Sequence, residues 1–240
     1  MRHDKVVIAL PSGDFMHVTS ALSLASVYAW APIEAQRQGH ELEVIIHNRR
    51  GCILPQSRQE LVEIAQTFSA THILFLDSDQ TYPPDILNKL LDHRLPIVAC
   101  NVATKSLPPA PTARSDNGTL TGEPVYTFPE VTGLEKVYRV GTGVMLISMH
   151  VFDSIEKPWF PITWDASVNK FTGEDWNFCA LVQKAGYNIY VDHDLSKEIG
   201  HLGTMEFTHK MVTSAALHSG LVTSDKLDKS KLSDKGRLII

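Results

Sequence analysis

Two aspartates one residue apart close an apolar run in THILFLDSDQTYPPDIL, residues 71–87. Ile73, Leu74, Phe75 and Leu76 demand burial, whereas Asp77 and Asp79 demand water, a cation or a proton. Side chains of an extended strand alternate, so both carboxylates of a D-x-D sequence point the same way where extended geometry persists. Carboxylates that close repel unless one is protonated or a cation bridges them. Oxygen ligands favour Mg²⁺, Mn²⁺ or Ca²⁺, and a site shared with phosphates keeps few protein ligands, so a nucleotide diphosphate would complete the coordination. The competing account is that Asp77 ends the strand and Asp79 caps the next turn.

Three further stretches carry polar chemistry. In TGEDWNFC, Glu174 and Asp175 open a helix, where carboxylates serve as caps as readily as catalysts. In SKEIGHLG, His201 stands among glycines after a strand, a setting that suits a ligand or an ordinary surface histidine. The first-strand exit LPSGD offers turn backbone and small side chains to a nucleobase or ribose. Trp159, Trp164 and Trp176 have faces that stack on sugar rings and equally suit core packing.

These residues need a scaffold, and the chain supplies one. KVVIAL, ELEVIIH, HILFLD and LPIVAC read as buried strands. Between them lie a helix from Ser20, as its cap, toward Gly39, and an amphipathic helix carrying Leu61, Ile64, Ala65 and Phe68. A third helix has Pro84 in its first turn. Strand and helix alternate over the first hundred residues, which predicts an α/β fold, a mainly parallel central sheet flanked by helices. Residues 103–130 hold five of the chain's 13 prolines and predict a long functional loop. YRVGTGVMLISMHVF restores a strand, GEDWNFCALVQKAG a helix ending at Gly186, and YNIYVDHDL a last strand.

At 240 residues the chain can build a substantial core, and its net charge of −5 argues against a protein devoted to nucleic acid backbone. Cys52, Cys100 and Cys179 form no CxxC pattern, so neither structural zinc nor a disulfide framework is expected. No apolar stretch reaches the length of a membrane span or a signal-peptide core, which predicts a soluble cytoplasmic protein. The tail over residues 223–240 alternates charge with sparse leucines and reads as a loose helix, a partner-binding arm or disorder.

Taken in order, these segments resemble a GT-A-fold, Rossmann-like glycosyltransferase, close to family 2-like enzymes and their small phage and bacterial relatives. The resemblance rests on FLDSDQTYPPDIL, VGTGVMLISMHVF, GEDWNFC and GHLG, with GCILPQSRQELVEIAQ placed where relatives carry an arginine-bearing helix. It implies one domain over residues 1–222, with a nucleotide-binding half at 1–102 and an acceptor and catalytic half at 103–222. It further implies a nucleotide-sugar donor, with uridine the first base and guanosine the second, and a divalent metal, manganese before magnesium. Asp79 and His201 would hold the metal, joined by Asp77 at the ribose or the ion. Pro11, Ser12, Asp14, Arg58, Ser78 and Gly143 would line the donor site. Asp175, helped by Glu174, would be the catalytic carboxylate toward a hydroxyl of a saccharide, lipid, protein or modified base. The first loop departs from the threonine-arginine-asparagine loop common in the larger family.

Three rivals share part of this signature. A nucleotidyltransferase would open with a basic glycine-rich loop, and LPSGDFMHV has one glycine and no lysine or arginine. A non-catalytic sugar-nucleotide-binding relative would be expected to lack one acidic partner. A metallohydrolase would gather Asp192, His193, Asp194 and His201, although alternation along VDHDL separates His193 from its neighbours.

Overall fold

A computed structural model describes residues 3–106, 108–119, 121–166 and 169–203. In its first half the order is β1 (His3–Ser12), α1 (Val18–Arg37), β2 (Glu41–Arg50), α2 (Leu54–Thr67), β3 (His72–Leu76), β4 (Gln80–Thr81), α3 (Ile86–Asp92) and β5 (Ile97–Ala99). There follow β6 (Arg114–Ser115), β7 (Glu123–Pro124), β8 (Leu134–Val137), β9 (Val144–Ser148), α4 (His150–Asp153), β10 (Thr163–Asp165) and β11 (Lys170–Thr172). The last described elements are α5 (Glu174–Lys184), β12 (Ile189–Asp192), α6 (His193–Ser196) and β13 (Gly200–His201).

Seven strands form the central sheet in the order β2-β1-β3-β9-β5-β12-β8. The expected α/β architecture is the one observed. Strands β2, β1, β3, β5 and β12 run one way, and β9 and β8 run against them. The reversed β9 sits in the middle of the sheet, so the exit of β3 meets the entrance of β9: Leu76 pairs with Val144, and the Asp77 amide donates to the Gly143 carbonyl at 2.9 Å.

Period-two alternation sorts the core into two layers. Val7, Ala9, Ile73, Phe75, Met145 and Ile147 pack with Leu61 and Val62 of α2 and Phe178 and Val182 of α5. Their neighbours Val6, Ile8, Leu74, Leu76, Val144 and Leu146 pack with Leu24 and Val27 of α1 and Ile86 and Leu90 of α3. Continuing that alternation past Leu76 sends Asp77 to the α2 and α5 face. The fold thereby decides what its carboxylate can reach.

Some local expectations are corrected. Ser20 lies inside α1, whose cap position is His17, and its hydroxyl donates to the Gln80 carbonyl instead. Pro84 precedes α3, which starts at Ile86. The strand within YRVGTGVMLISMHVF runs from Val144 to Ser148, with the short β8 before it. The last strand stops at Asp192, whose side chain caps α6 by accepting the Leu195 amide. Contacts divide the chain into one unit over Met1–Leu202 and a second over Gly203–Ile240; every element above belongs to the first. The expected tail at 223–240 and the domain limit at 222 lie outside the described residues. Among the described residues no helix is long and apolar enough to cross a membrane.

Candidate active site

The carboxyl ends of the forward strands of an open α/β sheet are where ligands bind, and the acidic residues gather there. Arg58 comes first because α2 carries it into the core. Its side chain is 3% exposed, and its guanidinium forks between Asp77 and Glu174. Nη2 lies 3.3 Å from Asp77 Oδ1, and Nη1 makes a close contact with Glu174 Oε1. Glu60, on the same helix as Arg58, pairs with Arg49. Arg58 therefore ties the exit of β3 to the start of α5, two points far apart in sequence.

Asp77 keeps 29% of its side chain accessible, yet protein surrounds it closely enough that desolvation raises its carboxyl above the ordinary range. Arg58 opposes that rise, and the neighbouring Asp79 adds to it. Tyr82 donates its hydroxyl to the Asp77 carbonyl at 3.3 Å, and burial pushes its phenol up to about 12, so it stays a neutral donor. Gly143 has a steric duty. A Cβ there would lie 2.9 Å from Asp77 Oδ2 and collide with the Gln80 amide.

Asp79 departs from the expectation that both aspartates point together. Extended structure ends at Leu76, and Ser78 and Asp79 form a turn before β4. Asp79 faces a different set of partners: Lys105 Nζ in close contact with Oδ2, and His201 Nε2 at 3.4 Å from Oδ1. The short β4–β13 pairing brings His201 there by setting it opposite Gln80. The Leu202 amide, donating to the Asp79 carbonyl at 2.7 Å, holds the register.

His201 Nδ1 lies 2.7 Å from the Ala103 carbonyl oxygen, which only accepts, so Nδ1 carries the proton. Nε2 is thereby turned to Asp79. A histidine fixed at one nitrogen by a carbonyl and offering the other beside a carboxylate is the usual arrangement of a metal-binding pair. The donor set fits a hard divalent ion with two protein ligands. Among the described residues no group of three or more His, Cys, Asp or Glu side chains is placed to enclose one. Asp77 is engaged by Arg58.

Asp175 and Glu174 open α5, where Gly173 is the cap residue. Asp175 Oδ1 accepts the Trp176 amide at 2.7 Å. Burial raises its carboxyl above the ordinary range, and the adjacent Glu174 charge adds to the rise.

At the first-strand exit, Ala9 pairs with Phe75, which brings Pro11 level with Asp77. Ser12 Oγ takes the Asn48 amide and donates to the Gly13 carbonyl at 3.0 Å. Asp14 turns outward to Arg50 at 3.2 Å, so it is not joined to the Asp77 cluster by any described contact. The hydrolase constellation does not assemble. His93 Nε2 meets Asp192 at 2.7 Å, His193 meets Glu135 at 3.0 Å, and Asp194 accepts from Gly133 at 2.7 Å, while His201 belongs to Asp79. Trp159 is core, 3% exposed, whereas Trp164 is 52% exposed and packs edge-on to Phe171.

The sequence reading missed Lys105, Gln80 and Tyr82. Only Lys105 left a signal: it is the sole basic residue from Pro96 to Ala113.

No family model matches the chain, and no curated protein matches its sequence. Similar solved structures include A197 from STIV, at 15% identity over 85% of this chain and 100% of that one, with a TM-score of 0.49. S. aureus TarS 1–349 in complex with UDP-GlcNAc is 14% identical over 94% of this chain and 68% of its own, with a TM-score of 0.45. A mutant of Drosophila β1,4-galactosyltransferase 7 in complex with manganese, UDP-Gal and xylobiose is 13% identical over 88% and 79%, with a TM-score of 0.46. These likenesses concern the fold alone.

Proposed function

We propose that the chain is a metal-dependent glycosyltransferase of the GT-A type, moving a hexose from a nucleotide-diphosphate sugar to a hydroxyl acceptor. UDP-sugars are the first choice of donor and GDP-sugars the second. The observation that carries this reading is the pairing of Asp79 with a His201 whose Nδ1 proton is committed to Ala103. It stands beside the Arg58-bridged carboxylates Asp77 and Glu174.

In this reading Asp79 and His201 hold the divalent ion, Mn²⁺ before Mg²⁺, with Asp77 near it or at the ribose. The ion, when bound, supplies Lewis-acid neutralisation of the diphosphate leaving group. Pro11, Ser12, Asp14 and Ser78 line the nucleoside side, and Gly143 leaves room beside Asp77. Arg58 fixes Asp77 and Glu174 relative to each other, and so aligns the donor end of the site with the start of α5. Asp175 takes the proton from the acceptor hydroxyl as its oxygen bonds to the anomeric carbon and the bond to the diphosphate breaks. Its raised proton affinity suits that transfer, because a base poised nearer neutrality drives it better. Lys105 balances the Asp79 charge when no ion is held.

The test is a donor screen by hydrolysis with UDP- and GDP-sugars and Mn²⁺ or Mg²⁺. Slow release of nucleoside diphosphate from at least one donor, abolished by EDTA, is expected. Failure of every nucleotide sugar to bind, with or without metal, removes the basis of the proposal.

A further inference from the structure

Buried polar atoms without a partner are few in a native fold, and each asks for a cause. In this chain a group of them falls in one place. Thr112 Oγ1, Arg114 Nε, and Arg139 Nε and Nη1 are all buried and have no hydrogen-bond partner among the described residues. Arg114 and Arg139 oppose each other across an isolated antiparallel bridge, which sends their side chains to the same side. Thr112 lies against Gly141, 3.4 Å from where a Cβ would stand.

Arg139 is 4% exposed, and what touches its guanidinium is aromatic. Its Cζ lies 4.8 Å from the Tyr138 ring centroid and 4.9 Å from that of Trp176. Such contacts hold the group flat and offset part of its desolvation, but they satisfy none of its N–H donors. Among the described residues neither arginine forms an ion pair with a carboxylate, whereas the equally buried Arg58 has two. A buried guanidinium held flat, a second one beside it and a hydroxyl make a donor set for a planar or tetrahedral oxyanion.

Position gives the set a role. Residues 139–143 lead into β9 at the edge where Gly143 accepts the Asp77 amide. Trp176, which covers Arg139, directly follows Asp175. The set is thus tied to the helix of the proposed base rather than to the Asp79–His201 pair that takes the diphosphate.

We infer that Arg139 and Arg114, with Thr112, form an oxyanion subsite that recognises a phosphate or carboxylate group carried by the acceptor. The acceptor is then an anionic molecule whose reacting hydroxyl is brought to Asp175 by its charged neighbour. This rests on the transferase reading for the word acceptor, but the subsite itself stands on the arginines.

Isothermal titration tests it, with inorganic phosphate, glucuronate and glucose as probes, in the presence and absence of saturating UDP and Mg²⁺. The phosphate and glucuronate arms separate the two oxyanion sources, and glucose reports neutral sugar binding. At least one anion should bind with UDP and Mg²⁺ in place, and glucose should bind much more weakly. Arg139→Met and Arg114→Met should each weaken the anion by more than about tenfold, the loss of a charge-assisted contact. Arg139→Lys should fall between them and the wild type. Arg114 is only half-buried, so its variant answers the question even where Arg139→Met does not fold. No anion binding, affinity unchanged in both arginine variants, or displacement of the anion by UDP and Mg²⁺ overturns the inference. Anion binding that depends on Arg139 in a chain that binds no UDP keeps the subsite and removes the transferase reading.

Discussion

Arg58→Met removes the cation on which two carboxylates depend while keeping most of the side-chain volume. Asp77 and Glu174 would then share a largely dry site with no counter-charge. Breaking a buried pair from one side typically costs about 3–5 kcal/mol. Because Asp77 retains 29% exposure, the lower end, about 3 kcal/mol, is the appropriate expectation. For a unit of this size that is a fall in Tm of roughly 6–12 °C. The pH dependence identifies the cause. Burial already raises the Asp77 carboxyl and Arg58 opposes that rise, so without Arg58 the penalty is present above the raised pKa and disappears as pH falls. The gap in Tm between variant and wild type should therefore be widest near neutrality and narrow on acidification. Adding Glu174→Gln to Arg58→Met should restore part of the loss. Differential scanning fluorimetry across a pH series measures all three quantities. A fall below about 1 kcal/mol, the size of an exposed pair, or a gap that does not change with pH, would refute the reasoning.

Lys105→Ala removes the ammonium that competes for Asp79, so Mn²⁺ affinity measured by titration with UDP present should rise, while Asp79→Ala should lose it; unchanged affinity in Lys105→Ala places that lysine outside the site. Asp175→Asn should lower turnover about 10²–10⁴-fold with donor binding kept. Its Tm should exceed the wild type's at about pH 8 and match it below about pH 4, because a raised folded pKa costs stability only once the group ionises; equal loss of donor binding makes Asp175 structural. Glu174→Gln removes a charge that raises the Asp175 carboxyl, so the acid limb of kcat should move to lower pH. Gly143→Ala places a methyl against Asp77 and Gln80 and should weaken UDP binding without abolishing folding, as circular dichroism would show.

The framework was legible because the strands are apolar on both faces: Ile73 to Leu76 serve two layers, and so short a run with a turn signal after it suits a buried strand. The Asp77–Asp79 segment was legible as chemistry and misread as geometry. Extended structure stops at Leu76, and the turn through Ser78 parts the two carboxylates, one toward Arg58 and one toward His201. Arg58 was named without Glu174, its second partner, since only the folded chain brings the start of α5 within reach of a side chain on α2. His201 owes its position to a two-residue pairing of β13 with β4, far below the length that a periodic pattern can reveal. Lys105 and Arg139 escaped for the same reason. Their roles come from what the loop at 103–130 and the entrance of β9 lie against, and local sequence does not encode that.

The central claim is that Asp79 and His201 hold a divalent ion that a nucleoside diphosphate completes. Electron paramagnetic resonance of Mn²⁺ titrated into the chain with and without UDP tests it directly. The free Mn²⁺ signal should fall markedly only when UDP is present, and this should be lost in both Asp79→Ala and His201→Ala. A signal unaffected by UDP, or one quenched equally in the wild type and both variants, would contradict it.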